Sequence, residues 1–157
     1  MKTLPIRCRS GDTRPIRAIA FEAASDAGDE RNPSDEKKRD SCPTHQFIQE
    51  ASRAMTDSWL DLANTLDETA KNGPPRNDTK FGFIADGIHE FKAWKLRVAC
   101  FFDAHLIICT HGFYKKQQRT PKGELEKAKK FRTAYEEAKK REQLLHVEPV
   151  QQSPRIA

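Results

Sequence analysis

The 157-residue chain lacks the signatures of the common cofactor enzymes: it has no P-loop, no dinucleotide fingerprint, no nucleophile elbow and no HExxH stretch. Its four cysteines, Cys8, Cys42, Cys100 and Cys109, form no CxxC pair and show no regular spacing. That argues against a zinc ribbon and a disulfide framework and fits reduced thiols in a cytoplasmic protein. No apolar run approaches the roughly eighteen residues of a membrane span, and Arg and Pro interrupt every candidate signal segment near the N-terminus. Neither secretion by a standard signal nor membrane insertion is expected. His105, Cys109 and His111 lie in or beside one predicted strand without a fourth ligand, so no metal and no cofactor is expected.

Charge is present and unevenly placed. Residues 1–79 carry 12 Lys and Arg against 14 Asp and Glu, net −2, whereas residues 80–157 carry 16 against 9, net +7. A cationic half of this kind suits nucleic acid, an anionic surface or an acidic protein.

The length fits one domain with weakly structured ends. Residues 1–14 show no periodicity and read as a flexible lead; the domain is expected over 15–145, and residues 146–157 read as a disordered tail. Residues 15–22 alternate as a short strand. Residues 23–42 are polar with almost nothing to bury and read as a solvated, disordered insertion. From Thr44, a candidate cap, the residues Ile48, Ala51, Met55, Trp59, Leu62 and Leu66 form a helical stripe that Asn72 and Gly73 end. A bent pair of helices is favoured, with the bend near Thr56, Asp57 and Ser58, because such side chains compete for backbone hydrogen bonds. Residues 80–114 read as antiparallel sheet, with a strand through Ile88, one from Leu96 to Phe102, and a buried central strand around Leu106, Ile107, Ile108 and Cys109. Thr120 and Pro121 are expected to start a last helix with the stripe Leu125, Ala128, Phe131, Tyr135 and Ala138.

The sequence HGFYKKQQRTP, residues 111–121, joins the central strand to that helix. Lys115, Lys116, Arg119 and Lys122 crowd into eight positions there, a cluster suited to a polyanion. Arg97 sits mid-strand, and alternation turns it away from the face buried by Leu96 and Val98, where it needs water, a ligand, or an ion pair with Glu90 or Asp103. Lys92 and Lys95 adjoin it, so cations from three segments converge in a pattern suited to phosphate. Tyr114, Phe113 and Trp94 interleave with them as candidate base-stacking rings, with Phe113 and Trp94 favoured as core. His111 is a candidate proton shuttle, with a structural strand-end histidine as the favoured alternative. RNA cleavage by 2′-hydroxyl attack requires only a base, cations and an acid.

The ordered segments GIHEFK (residues 87–92), LRV (96–98), IICTHGFYKK (107–116) and Thr120 with Pro121 before a Glu/Lys/Ala helix resemble the phage-derived Gp49-like branch of the RelE/HigB toxin superfamily. The resemblance covers roughly residues 17–141 and is strongest from Gly87. It implies an α+β, RelE-like fold: an antiparallel sheet with two N-terminal helices and a C-terminal helix. It also implies a messenger RNA endonuclease acting on the ribosome and neutralised by a cognate antitoxin, often a helix-turn-helix protein. By position, Arg97 would contact the scissile phosphate, and Lys115 and Lys116 would bind RNA and stabilise the transition state. Lys92 stands where the family commonly has Arg, and Leu96 where it commonly has an aromatic residue. His111, Lys92 and Lys115 remain rival candidates for the base, with Lys95, Tyr114, Arg119 and Lys122 as RNA contacts. The expected function is thus a metal-independent messenger RNA endoribonuclease of a toxin-antitoxin module. The alternatives are an inactive relative that binds RNA or an antitoxin, and a basic adaptor for an acidic protein.

Overall fold

A strand alternates its side chains between two faces, and in β5, Leu96–Asp103, both faces are buried from Leu96 to Phe101. This double burial organises the computed structural model, which describes residues 1–6, 15–21, 41–116 and 120–148. Leu96, Val98 and Cys100 pack with Phe47, Ala51, Leu62 and Leu66 in one core; Ala99 and Phe101 pack with Ala128 and Tyr135 in another. The first core lies under α1 (Pro43–Ala54) and α2 (Thr56–Asn72), the second under α3 (Lys122–Lys140).

The remaining strands are β1 (Lys2–Pro5), β2 (Ile16–Ala20), β3 (Phe81–Ala85), β4 (Ile88–Ala93), β6 (Leu106–Tyr114) and β7 (Leu145–His146). They form one sheet in the order β3-β4-β5-β6-β2-β1-β7, with β6 in the middle as its apolar run implies. The fold is α+β with three helices among the described residues. The sheet is mixed rather than wholly antiparallel, because β2 pairs parallel to β6 and β1 parallel to β7. Two strands precede α1 in the chain.

The helical stripe breaks at Met55, one residue before the expected bend. Ser52 Oγ donates to the Gln49 carbonyl at 2.8 Å and Thr56 Oγ1 to the Ser52 carbonyl at 3.1 Å, the local competition that bends helices. Thr44 does not cap α1; the helix begins at Pro43 and the Thr44 hydroxyl is buried without a partner. Thr120 does not cap α3 either, since its hydroxyl donates to Glu90 Oε2 at 3.3 Å and Pro121 precedes the first turn. The β5–β6 hairpin turns through Ala104 and His105 alone, with Ala104 at φ 52°.

The chain ends depart most from the sequence expectation. Lys2–Pro5, read as flexible lead, is a strand between β2 and β7, and His146 and Val147 belong to the sheet rather than to a tail. Arg17, only 2% exposed, ties them together. Its Nε donates to Thr3 Oγ1 at 2.7 Å, and Nη2 donates to the Thr3 carbonyl at 3.3 Å and to the Val147 carbonyl. A clamp built on backbone carbonyls leaves no hydrophobic period in the sequence. Most of the expected insertion, residues 23–40, lies outside the described residues; Ser41 bridges to Phe21 and Cys42 is buried.

Candidate active site

The site is set by a β-bulge. Cys100 pairs with Cys109 and Ala99 with His111, so Thr110 is an extra residue in β6. Strict alternation puts positions 109 and 111 on one face; the extra residue turns His111 to the opposite face, under α3. His111 then lies in a row with Ala99 and Glu90, and Phe113 in the next row with Arg97 and Lys92. The small Ala99 side chain packs in the core that also holds Ala128 of α3.

His111 is 1% exposed and both ring nitrogens are engaged: Nδ1 lies 3.0 Å from Thr110 Oγ1 and Nε2 lies 2.6 Å from Glu124 Oε2. Burial holds its pKa below the ordinary 6.5; Glu124 pulls it up and Lys127 pushes it down. His146 is lowered as well, first by burial and then by Arg17. The unfolded chain therefore takes up protons near pH 6.5 that the folded chain refuses. Stability is expected to be full above that pH and to fall as the pH drops toward the lowered folded values. Melting temperatures across pH 7.5 to 5.5 check this, and a flat profile would contradict it.

Arg97 does not point into water; it is 9% exposed. Its Nη1 donates to the Leu96 carbonyl at 2.8 Å and to the Trp94 carbonyl, while Nε lies 3.8 Å from Glu90 Oε1, too far for a hydrogen bond. Of the two anticipated partners Glu90 is the one beside it; Asp103 instead accepts from Tyr135 and Lys139. Burial lowers the Arg97 pKa and Glu90 raises it.

The other candidates divide. Lys92 Nζ turns to the sheet edge and donates to the Asp78 carbonyl at 2.9 Å. The Lys115 amide donates to the Lys95 carbonyl at 2.7 Å, which brings the end of β6 beside the β4–β5 hairpin. Lys95 is exposed, its Nζ 4.7 Å over the ring of Trp94. Trp94, favoured as core, is 67% exposed at a turn with φ 51°, whereas Phe113 is core as expected. Tyr114 packs on Phe47 at 5.1 Å and buries its hydroxyl without a partner, turned to α1 rather than to the basic surface. Lys122 is exposed at the first residue of α3, and Arg119 lies outside the described residues. Lys116 lines a groove of about 420 Å³ together with Glu50, Gly112, Tyr114, Glu124 and Lys127.

Sequence reasoning missed Glu124 as a site residue. Its signal was the spacing of thirteen residues from His111 across a strand-to-helix connection, which is informative only once the bulge is known. Among the described residues no cluster of His, Cys, Asp and Glu could hold a metal, and no helix is long and apolar enough to cross a membrane.

The molecule is an α+β domain in which Arg97 and Glu90 are buried beside the cation-rich end of the sheet. Residues 57–133, from α2 into α3, match the family model of phage-derived Gp49-like proteins, a family of the RelE/HigB-like toxin superfamily. The family points to a toxin-antitoxin-type protein. No curated protein matches the chain.

Proposed function

We propose that the protein is a metal-independent endoribonuclease of a toxin-antitoxin module, acting in the cytoplasm on messenger RNA at the ribosome and silenced by a cognate antitoxin, a helix-turn-helix protein in the favoured case. The observation that carries the reading is the position of Arg97: a guanidinium anchored through Nη1, with Nη2 free of hydrogen bonds among the described residues, beside Lys95 and Lys115 in a Gp49-like segment. An anchored arginine is suited to the dianionic phosphorane that forms as the 2′-oxygen attacks. Incubating the purified chain with messenger RNA, with and without ribosomes, tests this. Fragments ending in a 2′,3′-cyclic phosphate are expected.

A second reading has its own support. Lys92 is turned to Asp78 and both His111 nitrogens are occupied, which favours a member that binds RNA or the antitoxin without cutting. Intact RNA alongside measurable binding would select it.

Either reading predicts salt-sensitive RNA binding, because lysines that neutralise phosphates release counterions. Lys115→Ala with Lys116→Ala is expected to reduce the slope of log affinity against log salt by about 1.4, near 0.7 for each single-strand phosphate that is no longer neutralised. An unchanged slope places the RNA surface elsewhere.

A further inference from the structure

The groove between α1 and the first turn of α3 holds a carboxylate that is oriented from behind. Glu124 is about one-third exposed and uses Oε2 on His111 Nε2; among the described residues Oε1 has no partner. Thr110 Oγ1 lies 3.0 Å from Nδ1 of the same ring. A carboxylate only accepts, so the neutral imidazole carries its proton on Nε2 and donates it to Glu124, leaving Nδ1 to accept from the Thr110 hydroxyl, which also lies 3.4 Å from the Ala99 carbonyl. A buried ring locked at both nitrogens cannot meet a substrate, but it fixes the carboxylate in front of it, as supporting hydrogen bonds fix catalytic groups elsewhere. Lys116 and Lys127 line the same groove and supply charge for a phosphate.

We infer that Glu124 is the general base of the site, with His111 and Thr110 as positioning residues and the groove as the seat of a single-stranded RNA phosphodiester. This rests on the ribonuclease reading above. Glu124 Oε1 takes the 2′-hydroxyl proton, the O2′–P bond forms and the P–O5′ bond breaks. A water molecule protonates the leaving 5′-oxygen, and the hydroxide left behind recovers the proton from Glu124, so no co-reactant is consumed. The groups facing this pair are Thr110 on β6, Lys127 on α3, and Glu50 of α1, Tyr114 and Lys116 along the groove.

The test is single-turnover cleavage of an oligoribonucleotide by the full chain, with binding and melting measured in parallel. Glu124→Gln keeps the side-chain shape and is expected to slow cleavage about a hundredfold, the usual minimum for a lost general base, with RNA affinity within twofold of the parent. Thr110→Val is expected to move the acidic limb of the pH–rate profile while leaving affinity unchanged, which a merely structural threonine would not do. Cleavage at the parent rate by folded Glu124→Gln overturns the assignment, as does a loss explained entirely by weaker binding, the signature of a groove that only docks RNA or a peptide. If Glu124→Gln fails to fold, Glu124→Asp retracts the oxygen while keeping the charge, and undiminished cleavage by it overturns the assignment equally. An inactive parent chain that still binds RNA overturns the ribonuclease reading itself, and this one with it.

Discussion

Arg97→Ala is expected to lower cleavage about a hundredfold and, unlike the change at an outward-facing arginine, to destabilise the fold. The catalytic loss follows from removing a donor that favours the transition-state phosphorane over the ground state. The structural loss has two sources. Nη1 holds the carbonyls of Trp94 and Leu96 at a hairpin whose Trp94 sits at φ 51°, a conformation that a bulky residue keeps only when its surroundings impose it. Glu90, 4% exposed, would also lose the cation beside it. Breaking a buried pair from one side costs about 3 kcal/mol. Adding Glu90→Gln to Arg97→Ala removes the orphaned charge, so the double variant is expected to regain part of the melting temperature and none of the cleavage. Arg97→Lys is expected to recover only part of the rate, because a point charge replaces a planar fork. Parent-level cleavage by the folded double variant would remove Arg97 from the site.

Burial on both faces of β5 explains why alternation alone misplaces Arg97. Leu96, Val98 and Cys100 announce one apolar face, but Ala99 and Phe101 between them announce a second, and a strand apolar on both sides has no face left for water. The segment 107–116 is legible as a central strand leading into a basic exit because its apolar run and its charges are local properties. The orientation of His111 is not legible, since one inserted residue at Thr110 reverses every side chain beyond it. The α1–α2 break is legible to within a residue from the Thr56, Asp57 and Ser58 cluster, of which Thr56 donates its hydroxyl to the Ser52 carbonyl. β1 and β7 are not, because Arg17 holds them through the Thr3 hydroxyl and through carbonyls that every sequence possesses.

The same geometry separates two roles within the 111–116 segment. Lys115 and Lys116 lie at its exit, where substitution changes what is bound; His111, Gly112 and Phe113 lie where α1 and α3 close on β6. A basic cluster is useful only if its backbone is held, and here the holding residues precede the charged ones in the chain.

Gly112→Ala is expected to be among the most destabilising small substitutions in the protein. A Cβ at position 112 would lie 2.0 Å from Phe47 Cδ1 and 2.2 Å from Cγ, far inside van der Waals contact. The obstacle is not a mobile chain end: Phe47 is buried in the core beneath α1 and packs on Tyr114. Relief therefore requires α1 to move off β6, and overpacking of that kind costs about 3 kcal/mol, the upper part of its usual range. Phe47→Ala alone is expected to cost about 3–5 kcal/mol through the cavity it leaves. In the double variant the clash is gone and the new methyl partly fills the cavity, so its loss of stability should fall well short of the sum of the two single losses. Urea unfolding of the parent, both single variants and the double variant measures this coupling. Additive losses would show that Gly112 and Phe47 do not meet, and that α1 is held on the sheet by other side chains.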